Sequence, residues 1–511
     1  MCLAISVVLI ASLVQAVEAQ TTRRIEIVHS NVMDYNKDIN GEVRRLIGNV
    51  IFSHDKTMLY CDSAYQHLEG NNVDAFGHVR IVMGDTLSLT GKRLYYDDDK
   101  QLAQIFDDVV MKDRKTTLTT NRLDFDMQTN IASYTSGAKI VDQENVLTST
   151  LGFYHSNSHD MYFKDKVVLT NPRYVMRGDT LRYNTGNSTA YFLGPTTITA
   201  DSNLIYCENG WYNTETQASL FSQHAFLKMK TQVLRGDEIF YDRAKNFGKA
   251  RGNVSIVDTV NKVTIGGDYA EHFELTDSSL ATGHALMTQL FDNDTLFLHS
   301  DTLMAVAGKT DTAGKDKKHM LYAFHKVKIF KTDLQGKCDS LVYDYRDSTI
   351  RLFSRPVLWS GQNQLTADSI RMQIANSEIE KIHMVNSAFI ASRTDTLQQG
   401  DVDSLRFNQI RGKNMTGYFT ENRLHKILVE GNGQTIYYGK NKTDQMVGVN
   451  RAECSDMLIF VQENKVQKVT LLKKPDATFY PVRELSTREL RLKDFSWQQS
   501  LRPETKEDIF K

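Results

Sequence analysis

A chain of 511 residues has room for several ordinary domains. Its apolar share of 41 % and charged share of 24 % are those of a folded soluble protein. The net charge of -1 excludes a general attraction to nucleic acid, and only 6 prolines leave long hydrogen-bonded sheets unbroken.

The first residues are of a different material. Leu3 to Val14 is apolar apart from Ser6 and Ser12, and Val17-Glu18-Ala19 before Gln20 reads as a small-residue cleavage site. Residues 1–19 are therefore expected to be a secretory signal peptide, since the run is too short to span a bilayer comfortably. No Lys or Arg precedes it, which keeps an uncleaved membrane anchor as the alternative.

From Gly48 one pattern recurs. Two polar or turn residues are followed by a short alternating strand, with openings at 48, 77, 107, 136, 165, 194, 223 and 252, steps of 29 or 30. A fixed period of this length means stacked repeats, each packing on its neighbours along a linear core. The third position holds Val50, Val79, Val109, Ala138, Val167, Thr196, Ala225 and Val254. The fifth holds Phe52, Ile81, Met111, Ile140, Leu169, Ile198, Leu227 and Ile256, and the residue between is mixed. Apolar, variable, apolar is a strand with one buried face.

About 14 residues on comes a mostly polar column, Asp62, Lys92, Asn121, Thr150, Asp179, Glu208, Asp237 and Asp268. Three residues before it stand Leu59, Leu89, Leu118, Leu147, Met176, Ile205, Leu234 and Ile265. Two and four residues after it stand further apolar and aromatic columns, among them Tyr96, Phe125, Tyr154, Tyr183, Tyr212 and Tyr241. These offsets change parity, so no regular strand puts them all on one face. The residue just before the polar column is always small, for example Cys61, Gly91 and Gly236, and a bend or bulge is expected there in every repeat. The result is a creased sheet with an apolar inner surface, whose walls either meet and fill the interior or stay apart as a trough.

Further copies open at Gly283, His325, Arg355 and Asn386. The expected organisation is repeats over 20–410, with a loop insertion at about 305–324, then less regular terminal β repeats over 411–472. A tail follows over 473–511. In it Ser486-Thr487-Arg488-Glu489 forms a capping box, and Leu485, Leu490 and Leu492 are placed to pack a short helix on the last rung, as a cover or as a docking segment.

Chemistry finds little purchase. Cys61, Cys207, Cys338 and Cys454 follow the signal segment. The first two lie five repeats apart, on the order of 25 Å at one strand spacing per repeat, and disulfides need Cα atoms within about 7 Å. Free structural thiols are expected. His78, His224 and His284 share the second position on separate rungs, without metal-ligand spacing. The acidic column offers one carboxylate per rung, where acid–base hydrolysis needs two converging on one bond. Turn capping is the better reading. No nucleophile elbow, P-loop, zinc motif or dinucleotide fingerprint appears, so no catalytic residue, metal or cofactor is expected. The tyrosine column reads as core or trough lining ahead of a carbohydrate platform.

Rungs of the form Gly-Asn-Val-x-[Ile/Phe] followed by Leu-x-x-Asp-x-Leu-x-Tyr resemble the OstA-like repeat of the LptA family. The likeness covers about 25–410 clearly and continues weakly to 472. It implies an all-β, elongated, V-shaped β-jellyroll in the periplasm, whose open trough holds the acyl chains of lipopolysaccharide. It also implies end strands that pair with inner- and outer-membrane components of the transport system. The chain is several times longer than the family's bridge protein, and it lacks room after the repeats for a membrane barrel. On this reading it is not an enzyme but a lipid carrier with lipopolysaccharide or a related lipid as partner and no nucleic acid. The lining would be Val50, Phe52, Val79, Ile81, Val109, Met111, Ala138, Ile140, Val167, Leu169, Ile198, Leu227 and Ile256. The rivals are a secreted parallel β-helix that binds or processes polysaccharide, and a filled structural scaffold or adhesin.

Overall fold

The computed structural model describes residues 25–511, apart from 37–41, 55, 86, 115, 201–202, 261, 292–293, 308–318, 376–377, 395–405, 422, 442, 444, 463–464, 482–483 and 487. The signal segment 1–19 and most of the expected insertion lie outside the described residues. The strands Thr302–Ala307 and His319–Lys331 flank that insertion closely.

The protein is all-β and repetitive, and its strands pair antiparallel with their sequence neighbours. A parallel β-helix is thereby overturned: its rungs would align parallel, and these run back and forth. The chain divides into two units, Met1–Asn187 and Ser188–Lys511.

In the first unit the rung is a strand of about a dozen residues bent in the middle. Val43–His54 pairs with Thr57–His67 as Ile47↔Ser63 and then Val50↔Cys61, so Gly48 and Asn49 together face Asp62. Two residues against one is a β-bulge. Gly48 and Asn49 have φ of 76° and 47°, Gly77 and His78 75° and 42°, Asp107 and Asp108 61° and 54°. This left-handed conformation explains why the openings are rich in Gly, Asn, Asp and His, which tolerate it best. A Cβ on Gly77 would collide with the Asp62 carboxylate. The bend thus sits at the opening pair, opposite the polar column, and not at the small residue before that column. Small residues there answer to crowding instead: a Cβ at Gly91 would come 2.5 Å from Cγ2 of Ile105.

Each bend separates two walls that share the strands. On one wall the fifth-position column and the column three before the polar residue merge into a single row across the strands. It runs Phe52↔Leu59↔Ile81↔Leu89↔Met111↔Leu118↔Ile140↔Leu147↔Leu169↔Met176. On the other wall Leu46↔Ala64↔Ala75↔Leu94↔Ile105↔Leu123 forms a matching row. Both rows are buried.

The second unit repeats this plan from Thr189–Ala200 to Asp476–Tyr480. Beyond 378 its strands lengthen, reaching Arg423–Lys440 and Met446–Gln462. Of the expected tail, Asp476–Tyr480 forms a strand, and the described residues after it form no α-helix, only turns and short 3-10 segments, among them Gln499–Leu501 and Lys506–Phe510. The capping box exists, with Ser486 N–H donating to Glu489 at 2.9 Å, but it closes a turn. Leu485, Leu490 and Leu492 do pack on the last rungs, against Phe389, Phe407, Ile436 and Val449. The chain then runs back along the outer face of one wall. Three buried glutamines anchor it. Gln409 receives Leu492 N–H and donates to Leu490 C=O, both at 2.9 Å. Gln364 receives Gln498 N–H at 2.7 Å and donates to Ser496 C=O at 2.8 Å. Gln335 accepts from Arg502 Nε at 2.8 Å. The path ends with the Phe510 ring 4.7 Å from His299.

Candidate functional site: the apolar seam between the walls

In the first unit the walls meet. Val50, Phe52, Val79, Ile81, Val109, Met111, Ile140, Val167 and Leu169 are each at most 4 % exposed, and Ala138 is partly exposed. The open trough implied by the resemblance is therefore closed here. The reason is volume. Facing these side chains is an aromatic and aliphatic row, Val73↔Tyr96↔Ala103↔Phe125↔Ala132↔Tyr154↔Met161↔Tyr183, itself buried. A cavity bounded by Phe52, Leu59, Ile81, Leu94 and Tyr96 holds about 20 Å³, room for about one water.

Past the bend, side chains join the walls, and polar contacts are among them. The Tyr154 hydroxyl donates to Asp113, and the Tyr183 hydroxyl donates to Asp142 at 2.5 Å, each across 41 positions. Asp113 is 1 % exposed. Burial, together with the bond to Asp113, pushes the Tyr154 phenol well above its usual range. These bonds latch the seam on the side away from the bend. Tyr96, Phe125, Tyr154 and Tyr183 of the aromatic column are thus core, and Tyr212 and Tyr241 are partly exposed.

In the second unit the same row continues as Ile198↔Ile205↔Leu227↔Leu234↔Ile256↔Ile265↔Met287. Its ends, Ile198 and Met287, are 7 % and 0 % exposed. The five residues between them are partly exposed. From Met287 onward the interior is packed again, through Leu298, Ile329, Leu358, Met384, Met415 and Val429.

The polar column ties successive bends together. Asp62 accepts from His78 Nδ1 at 2.7 Å, and Asp268 pairs with His284 at 2.8 Å and Glu208 with His224 at 3.1 Å. Asp237 and Asp268 also donate their backbone N–H to Gly252 and Gly283 C=O. The shared histidine position therefore serves pairing between rungs. Among the described residues no three His, Cys, Asp or Glu converge as a metal site. The cysteines Cys61, Cys207, Cys338 and Cys454 are free and buried beside the bends. Burial pushes the first three thiols up to about 12, so they are poor nucleophiles.

Sequence reasoning found the row but not its two states. The latch was hidden because its partners stand 41 residues apart, out of phase with the 29-residue period.

Residues 22–179 match the family described as OstA-like protein. No curated protein matches the chain.

Proposed function

From the match of residues 22–179 to the OstA-like family, we propose that this chain is a non-enzymatic periplasmic carrier of lipopolysaccharide or a related lipid, moving it towards the outer membrane. One observation carries the reading. A single apolar row runs without interruption from Phe52 to Met176 between walls that meet past the bend through side chains. Such contacts part without breaking a backbone hydrogen bond.

An acyl chain entering the seam replaces side-chain contacts with its own, gaining about 0.8 kcal/mol per methylene removed from water. Each rung offers a similar lining, so a step from rung to rung changes the free energy little. That suits transport better than storage. The end strands support partners at both ends. Glu26–His29 and Val32–Asn36 each pair with Val43–His54, and among the described residues with no other strand. Val28, Val32 and Met33 are more than half exposed. At the far end Lys465–Leu472 and Asp476–Tyr480 pair only with Met446–Gln462 among the described residues. Unpaired edges of this kind accept a further strand.

The test is a photo-crosslinking residue at Ile140, which faces the seam, and at Lys139, which faces outward. Labelled lipopolysaccharide is expected to crosslink from Ile140 and not from Lys139. Crosslinks from Lys139 alone would overturn the proposal.

A further inference from the structure

The two outer faces of the first unit are unlike in charge. On the wall that carries Phe52 and Met176, the outward positions include Arg80, Lys112, Lys139 and Arg177, all exposed. On the other wall Asp74 and Asp124 stand among Arg45, Arg93 and Arg122. We propose that the first of these faces is a docking surface for a linear polysaccharide bearing carboxylates, a binding function separate from the seam.

Charge complementarity carries the assignment. Two outward rows cross this wall, one with Arg80, Lys139 and Arg177, the other with Lys112. From the strand Val43–His54 to the strand Tyr174–Asn184 neither row holds an Asp or Glu. The nearest acid in line is Glu26, opposite Ser53 on the edge strand and three strand steps from Arg80. Arg80 lies over the Tyr60 ring at 5.3 Å, and Arg80, Lys112 and Lys139 are ion-paired to no described residue. The margins of the face are balanced. At the bend Asp62 is taken by His78 at 2.7 Å and Asp108 by Lys92 at 2.5 Å, and Asp165 and Asp179 stand beside Lys166. At the hairpins Asp85 and Glu144 are offset by Lys56, Arg114 and Arg173, all exposed. The excess of positive charge is thus local, on a chain whose net charge is -1. Its four cations recur at every second or third strand over seven interstrand steps, about 34 Å.

The chemistry between the cations selects the kind of anion. Thr148 and Thr170 are exposed there, and a hydroxyl both donates and accepts, as sugar hydroxyls require. A polypeptide fits less well. On the equivalent face of the second unit the chain's own tail lies over the sheet, and Gln364 and Gln409 bond its backbone. In the first unit the places of those glutamines hold Met58, Ser88, Thr117, Val146 and Val175, with no amide to pair a backbone. A flat anionic layer also fits less well. At the usual twist of about 20–25° per strand, seven steps turn the face through roughly 150°, so one plane does not meet all four cations. A flexible chain follows them.

The experiment titrates the full-length protein into fluorescently labelled polygalacturonate and reads anisotropy. Saturable binding is expected at low salt, weakening as salt is raised, with none to neutral dextran. Combining Arg80→Gln, Lys112→Gln and Lys139→Gln is expected to weaken binding roughly tenfold or more at an unchanged melting temperature, since all three side chains lie in solvent. Combining Arg45→Gln, Lys164→Gln and Lys230→Gln removes the same charge from exposed positions elsewhere and is expected to leave binding nearly intact. Equal losses in the two triple variants reduce the binding to net charge and overturn the proposal. Tighter binding of poly-L-glutamate gives the face to an acidic peptide and overturns it. Binding of phosphatidylglycerol vesicles without polygalacturonate gives it to a membrane, with the same result. Absence of polygalacturonate binding overturns it outright. The lipid-carrier reading stands or falls separately from each of these outcomes.

Discussion

Rungs 43–184 and rungs 203–273 are built to one pattern, and their interiors differ. Both carry the aliphatic row across the strands, the left-handed pair at the bend and an acid–base tie between neighbouring bends. In the first, Tyr96, Phe125, Tyr154 and Tyr183 fill the space that the row leaves, and two aspartates latch it. In the second, the facing places hold the smaller Ala250, Ala270, Ala281, Gly248 and Ser279; the three alanines are still buried, while Ile205, Leu227, Leu234, Ile256 and Ile265 opposite are partly exposed. The lesson is that the bend, repeated from rung to rung, fixes the two walls, while the size of the side chains between them sets how deeply the aliphatic row is buried.

The sharpest way to break that contrast is to hollow the closed region. Phe125→Ala removes a fully buried ring from the first unit and should cost about 3–5 kcal/mol. Leu234→Ala, whose side chain is already partly in water, should cost about 1 kcal/mol. Urea denaturation of the two variants measures the difference, and equal losses would mean the two interiors are packed alike.

A smaller effect tests the latch. Asp113→Ala leaves the buried Tyr154 hydroxyl without its acceptor and should destabilise by about 1–3 kcal/mol. Adding Tyr154→Phe removes the stranded group, so the double variant should recover part of the loss. Simple additivity in the double-mutant cycle would show that the pair does not hold the walls together.

The smallest effect concerns acid, in the packed part of the second unit. The hydrogen bonds from Arg346 hold the Asp344 carboxyl down at about 2. A folded-state value below the ordinary one stabilises the protein above about pH 4 and loses that contribution as pH falls from about 4 to about 2. Arg346→Ala should therefore lower stability slightly at neutral pH and flatten its fall between about pH 4 and about pH 2, with little change at or below pH 2. Urea titrations followed by circular dichroism across that range measure it, and an identical pH dependence in the two proteins would count against the assignment.

Much of the fold was legible in the sequence, because the 29-residue period aligned every column with a strand position. Phe52, Ile81 and Met111 could be placed on one inner face, and Cys61 and Cys207 kept apart. The bend was read at the small residue before the polar column, whereas it lies at the opening pair on the neighbouring strand, since small residues such as Gly91 are excluded-volume positions and not the turn itself. Whether the seam is filled was not legible. That depends on side-chain volumes summed across two walls, between residues such as Asp113 and Tyr154 that no single repeat contains. The route of the tail was equally hidden, because Gln335, Gln364 and Gln409 announce nothing until a backbone lies across them.

That route has a consequence for how the molecule is made. Each strand pairs with the one finished just before it, so the rungs form in the order of synthesis, N-terminal first. The closing segment breaks this rule. Lys511 C=O meets Lys328 Nζ at 2.9 Å across 183 positions. Loss of residues 498–511 would keep every rung, yet leave Gln335 without the Arg502 guanidinium and Gln364 without the Gln498 N–H. Two buried amides would then lie uncovered on a sheet that is otherwise whole.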